Sequence, residues 1–401
     1  MGRDVIGGDA DEGYGKVADA FRRNFDRGRE LGAAVSVYRD GRKVVDLWGG
    51  HRDADQRAPW TADSLVNVFS TTKGVASLAI ALAVSRGLLD YDAPVAAYWP
   101  DFAQAGKEAV TVRQLCGHQA GLVVVDPPLS LEEVADPEVL AARIARQAPA
   151  WEPGTRHGYH ALTLGWYQSA LLRQVDPQRR TLGRYLADEI AAPLGLELYI
   201  GLPRSVDRDR VAQLVADHPW RRLLQLHRVP PRLVLASLNK RSLGARALEM
   251  AGPAFEVATF NREQYQRVEM PAANGTATAR AIAKLYGAAL TGELGLAPSV
   301  RQALEAPAVA PTQGVRDLVT QQDVLYSLGF GKPTPRLVFG SSGRAFGWPG
   351  AGGSFGFADP DTGIGYAYVM NRMGYSVSSD PRELALRQAL FRDTLGARPQ
   401  R

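Results

Sequence analysis

The sequence predicts an α+β fold, with one antiparallel sheet assembled from both ends of the chain, helices flanking it, and a mostly helical domain inserted in the middle. Three observations lead there. Two apolar strand patterns joined by a tight-turn signal lie near the N-terminus, and a second strand pair lies near the C-terminus. The long stretch between them reads as helices punctuated by Pro and Gly. On this reading residues 1–69 and 275–401 form the sheet domain, residues 70–274 form the helical one, and a cleft between them is the natural place for a site.

Each element has its own signal. Val17, Phe21 and Phe25 recur at helical spacing within residues 12–30. Residues 33–38 and 43–48 flank Asp40-Gly41, a dipeptide suited to the positive φ angles of a two-residue hairpin turn. Val66-Asn67-Val68-Phe69 leads into Ser70-Thr71-Thr72-Lys73, which opens a helix continued by an apolar run to Val84 and stopped by Gly87. A helix that is apolar on most sides is buried on most sides. A further helix is expected over Leu162–Leu172, after the turn Trp151-Glu152-Pro153-Gly154-Thr155. Residues 354–358 and 364–370 read as strands around the turn 359–363, and a last helix covers Pro381–Thr394 before Gly396.

Composition narrows the classes. The 401 residues are 45% apolar and 22% charged, with a formal net charge of +5, ordinary values for a soluble globular protein. A single cysteine excludes an internal disulfide and a multi-thiolate zinc site. Cys116, beside Leu115, reads as a small core residue. The six histidines show no H-E-x-x-H or H-x-x-x-H spacing, so no metal is expected. The N-terminus has no apolar core of signal-peptide length, and the longest apolar run is too short to cross a bilayer. The expectation is a soluble, cytoplasmic protein. Basic residues gather from Arg221 and Arg222 through Arg228, Arg232, Lys240, Arg241 and Arg246 without a nucleic-acid motif, and read as a solvated flap.

The chemistry is carried by S-x-x-K. Residues three apart share a helix face, so the Ser70 hydroxyl and the Lys73 amine can meet. Serine is a poor nucleophile until a base takes its proton, and a desolvated, neutral lysine can do so. The helix start adds free N–H groups for a developing oxyanion. Tyr159, on a loop after the Pro-Gly turn, can relay a proton. Trp348-Pro349-Gly350-Ala351-Gly352-Gly353 brings backbone close to a ligand and can supply a second oxyanion donor.

These three motifs, in this order and at these separations, resemble the serine β-lactamase and penicillin-binding-protein superfamily. The likeness is strongest to the class C β-lactamase-like esterases, the family VIII carboxylesterases. Residues 111–122 are also similar to a segment of that family, and the likeness spans about residues 15–395. The resemblance implies a β-lactamase/transpeptidase-like fold and an acyl-enzyme on Ser70. Lys73 and Tyr159 would share acid–base work, and the N–H groups of Ser70 and Ala351 would form the oxyanion hole. Trp348 and Gly350 would line the acyl pocket, with His160 beside the substrate. It implies no cofactor.

Two departures direct the substrate. The Tyr-x-Asn of class C β-lactamases is Tyr159-His160-Ala161 here, and their Lys-Thr-Gly is Trp348-Pro349-Gly350. Without that amide and that cation, anionic substrates lose their anchors, which favours small neutral esters. A β-lactamase, a D-amino-acid peptidase, a lactonase or an acyltransferase would use the same residues, and a catalytically idle sensor would keep the fold without turnover. Gly352-Gly353-Ser354-Phe355-Gly356 spells G-x-S-x-G, but no helix follows Ser354 as a nucleophile elbow requires, so it reads as a decoy. His118 reads as a residue that satisfies backbone groups in its own turn.

Overall fold

In a computed structural model, residues 6–216, 242–249, 257–374 and 379–397 are described. Their main element is an eight-stranded, wholly antiparallel sheet in the order β1-β3-β2-β11-β10-β9-β8-β7. The N-terminal part contributes β1 (Ile6–Ala10), β2 (Gly32–Arg39) and β3 (Arg42–Gly50). The C-terminal part contributes β7 (Tyr326–Ser327), β8 (Phe330–Gly331), β9 (Phe346–Pro349), β10 (Phe355–Asp359) and β11 (Ile364–Met370). The two halves join where β11 pairs with β2, Tyr368 opposite Val35 and Gly365 opposite Tyr38. Asp40 and Gly41 turn the first hairpin with φ of 50° and 80°, as their sequence requires.

The strands sort their side chains by size. Phe355, Phe357, Tyr366 and Tyr368 face one side with Val35 and Val37, where helix α1 (Gly15–Asp26) adds Val17 and Phe21 and the C-terminal segment adds Leu386 and Leu390. The opposite side of β10 and β11 presents Gly356, Gly365 and Ala367. A Cβ on Gly365 would lie 2.4 Å from Ala283 O and from Gly287 N. The missing side chain is what lets the helix carrying those residues press on the sheet.

Helix α2 (Thr71–Ser85) is the centre of the larger core. Every residue from Thr71 to Ala83 is buried, so the expected all-round burial is present. Gly87 ends the helix in the left-handed conformation, with φ of 73°. The helix expected over Leu162–Leu172 is α3 (Thr163–Val175), and the one that meets Gly365 is α4 (Ala279–Thr291). Helices α5 (Pro298–Glu305) and α6 (Pro381–Gln388) follow later in the chain, α6 continuing through a wider turn to Thr394.

A second, three-stranded sheet of β4 (Val66–Asn67), β5 (Leu198–Ile200) and β6 (Gly275–Ala277) has no counterpart in the sequence reading. It lies where the two expected domains meet and ties the middle of the chain to both outer parts. Most of the basic stretch, Arg221 through Arg241, lies outside the described residues; Arg246 hydrogen-bonds Asp126. No helix among the described residues is long and apolar enough to cross a membrane.

Candidate active site

The start of α2 is held under local strain. Phe69 has φ of 46°, unusual for an aromatic residue, and its N–H donates to Asn67 Oδ1 at 3.0 Å. This turn delivers Ser70 to the helix start without a capping bond from its side chain. The hydroxyl is used elsewhere: Ser70 Oγ lies 2.6 Å from the Tyr159 hydroxyl and 3.2 Å from Lys73 Nζ.

Lys73 is wholly buried. Its amine donates to Ala161 O at 2.6 Å and Ala272 O at 2.9 Å, and sits 4.6 Å from the centre of the Tyr159 ring. Among the described residues it has no carboxylate partner. Burial therefore pulls its pKa well below the usual lysine range, and no nearby anion restores it. Burial acts on Tyr159 in the opposite sense, raising the phenol to about 12 despite its hydrogen bond to Ser70. An ionised phenol is thus disfavoured at neutral pH, so Tyr159 would relay a proton from its neutral form.

Tyr159 is positioned by an aromatic stack. Its ring lies nearly parallel to Trp348, 5.8 Å between centres and 15° between planes. Trp348 in turn stacks on Tyr326 at 5.5 Å and 19°. Trp348 is 4% exposed, so most of its surface supports the phenol rather than facing open space. Tyr326 donates to Asp317 Oδ2 at 3.1 Å, and Asp317 Oδ1 accepts from the N–H groups of Val319 and Thr320. No motif marks Tyr326 or Asp317 in the sequence; they reach the site only through the fold.

His160 does not stand beside the substrate. It is fully buried, its Nε2 accepts from Leu122 N–H at 3.1 Å, and its Nδ1 donates to Gly158 O at 2.7 Å. Neither ring nitrogen is left for a ligand, and burial lowers its pKa to about 4. The ring turns inward because the backbone of the Tyr159 loop needs both partners. His118 serves the backbone, though of the Tyr159 loop and not of its own turn as expected, its Nδ1 accepting from His160 N–H at 3.0 Å.

The Trp-Pro-Gly strand ends in a turn against the start of α2. A Cβ on Gly350 would lie 2.2 Å from Ser354 Oγ and 2.3 Å from Val68 O, so only glycine allows this approach. Among the described residues, neither the Ser70 nor the Ala351 N–H has a hydrogen-bond acceptor. Ser354 is buried and donates to Val68 O at 2.8 Å, with Thr71 Oγ1 at 3.1 Å, a tether rather than an exposed nucleophile. No cluster of three or more His, Cys, Asp or Glu able to hold a metal occurs among the described residues.

Comparison with known proteins finds relatives over nearly the whole chain. The Beta-lactamase family model matches residues 17–391. The Esterase/beta-lactamase LipL of Mycobacterium tuberculosis is 36% identical over 373 residues, covering 93% of this chain and 84% of the relative. Among solved structures, a family VIII carboxylesterase superposes with a TM-score of 0.84 at 35% identity, covering 96% of this chain and 98% of the other. A penicillin-binding-protein homologue from Caulobacter crescentus superposes with a TM-score of 0.81 at 37% identity, with the same coverage.

Proposed function

This chain belongs to the beta-lactamase family, and from that premise we propose that it is a serine carboxylic ester hydrolase that cleaves small neutral esters through an acyl-enzyme on Ser70. One observation carries the reading: the Ser70 hydroxyl is shared between a protonated phenol and a buried amine with no anionic partner among the described residues. A neutral Lys73 amine spends its two N–H bonds on Ala161 O and Ala272 O, leaving its lone pair for Ser70.

In this scheme Lys73 accepts the Ser70 proton as Oγ bonds to the ester carbonyl carbon. The carbonyl oxygen becomes an oxyanion that accepts from the N–H groups of Ser70 and Ala351. The carbon–oxygen bond to the alcohol then breaks, and Tyr159 gives its proton to the departing oxygen. Lys73 returns a proton to the phenolate. Water attacks the acyl carbon with the same groups serving again, the carboxylic acid leaves, and Ser70 regains its hydrogen. The residues that would anchor an anionic substrate in the wider superfamily are Ala161 and Trp348 here, which supports a preference for uncharged acyl groups.

A phosphonate should label Ser70, and p-nitrophenyl butyrate should give an alcohol burst; Ser70→Ala should lose both. Ser354→Ala should still be labelled at Ser70. Loss of label in Ser354→Ala with label kept in Ser70→Ala overturns the assignment. The double name of the mycobacterial relative favours a second reading, hydrolysis of a β-lactam by the same residues. It is judged by assaying the ester beside a chromogenic cephalosporin. A kcat/KM for the ester at least about 100-fold higher, nearly 3 kcal/mol of transition-state preference, is expected; parity or reversal favours the lactam.

A further inference from the structure

The turn that carries Ala351 is gripped by a side chain from α6. Gly352 and Gly353 have φ of 85° and 120°, a backbone path open mainly to glycine, and the turn closes on itself with Gly353 N–H donating to Gly350 O at 3.2 Å and Gly350 N–H to Ser354 O at 2.7 Å. An external hold is present. Gly352 O accepts from Arg382 Nη2 at 2.7 Å and from Gly374 N–H at 2.8 Å. Arg382 comes from the first turn of α6, a helix that brings no group to the reacting atoms.

All five N–H bonds of this guanidinium are engaged. Nε and Nη2 fork onto the Asp380 carboxylate at 2.8 and 2.9 Å. Nη1 reaches Glu30 Oε2 at 3.2 Å and Arg372 O at 2.9 Å. Glu30 also accepts from the Tyr368 hydroxyl at 2.6 Å. Arg382, Glu30 and Asp380 are all buried. Taking such charges out of water costs much of what their attraction returns, so the cluster is poor at adding stability. What it supplies is one orientation, since a planar five-donor fork satisfies this set in a single pose.

We propose that Arg382 is a positioning residue for ester cleavage, acting through the Gly352 carbonyl to aim the Ala351 N–H at the oxyanion formed on the Ser70 adduct. The inference rests on the acyl-enzyme reading above. Arg382→Lys keeps a cation between Glu30 and Asp380, but an ammonium with three donors cannot hold both carboxylates and Gly352 O in the same geometry. Displacing one oxyanion donor costs up to about 100-fold or more in turnover.

The test uses the full chain with p-nitrophenyl butyrate, counting active sites by phosphonate labelling. In Arg382→Lys, kcat per labelled Ser70 should fall by about 10- to 100-fold with KM within about twofold. The inhibition constant of an alkylboronic acid, whose tetrahedral adduct on Ser70 carries an oxygen in the oxyanion position, should rise by a similar factor. A merely structural arginine would lower the melting temperature and the number of labelled sites while leaving kcat per site and boronate affinity unchanged, and that result overturns the proposal. If Arg382→Lys does not fold, Asp380→Asn still caps α6 but weakens the fork; a loss of about threefold or more in kcat per site supports the proposal, and no loss overturns it. Absence of label and of boronate inhibition in the unaltered protein is a separate failure: it removes the acyl-enzyme reading, and this inference with it.

Discussion

Lys73 is a cation's side chain with the water stripped away and, among the described residues, no anion supplied in return. That asymmetry fixes the sign of a pH effect. In the proposed scheme the reactive amine is the neutral form, so kcat/KM for a short ester should fall with unit slope as pH drops through the lowered Lys73 pKa. It should stay level on the alkaline side up to about pH 10, because Tyr159 keeps its proton until about 12. A pH–rate profile on p-nitrophenyl butyrate checks both limbs. Lys73→Arg, a permanent cation, should lower kcat by about 1,000-fold at every pH, read by burst kinetics. At this scale the sequence was informative where spacing implies contact. Ser70 and Lys73 are neighbours because a helix makes them so. His160 was not legible, because adjacency to Tyr159 does not say which way a loop side chain turns. Tyr326 and Asp317 were invisible for another reason: they meet the site through stacking and one hydrogen bond, and neither leaves a pattern along the chain.

Secondary-structure elements were legible in proportion to their length. The hairpin at Asp40-Gly41, the strand pair around residues 359–363 and the apolar α2 each extend far enough to show a period or a turn signal. Strands β4, β5 and β6 hold two or three residues each, too few for any alternation to register. Two tests belong to this scale. Gly365→Ala would push a methyl into the backbone of α4, and should lower unfolding free energy by about 2–3 kcal/mol in urea titrations. Lys332 caps the end of α5, donating to Leu304 O at 3.0 Å, Glu305 O at 3.3 Å and Arg344 O at 3.1 Å. Burial lowers its pKa to about 8, below the ordinary lysine value of 10.5. Between those pH values the unfolded chain binds the extra proton, so stability should rise with pH across that window. Urea midpoints of Lys332→Met, compared with the unaltered protein from pH 8 to 10.5, should lack this rise, worth roughly 3 kcal/mol at most.

The whole molecule is organised by a sheet that neither end of the chain can complete alone. Strand patterns at both termini made that closure readable in advance. The expected boundaries at 69/70 and 274/275 fall beside β4 and β6, short strands that pair with each other while β6 also takes β5 from the middle, so a small sheet bridges the proposed division. Gly32 N–H reaches Asn371 Oδ1 across 339 residues of chain. That single bond sets a timetable for the ribosome. Helix α2 emerges early, clothed in apolar side chains, while the strands that will shelter it have yet to be translated. Until they arrive, the nascent polypeptide offers sticky surface to its surroundings, and slowing elongation near the 3′ end of the message should lengthen that exposure and lower the yield of active protein.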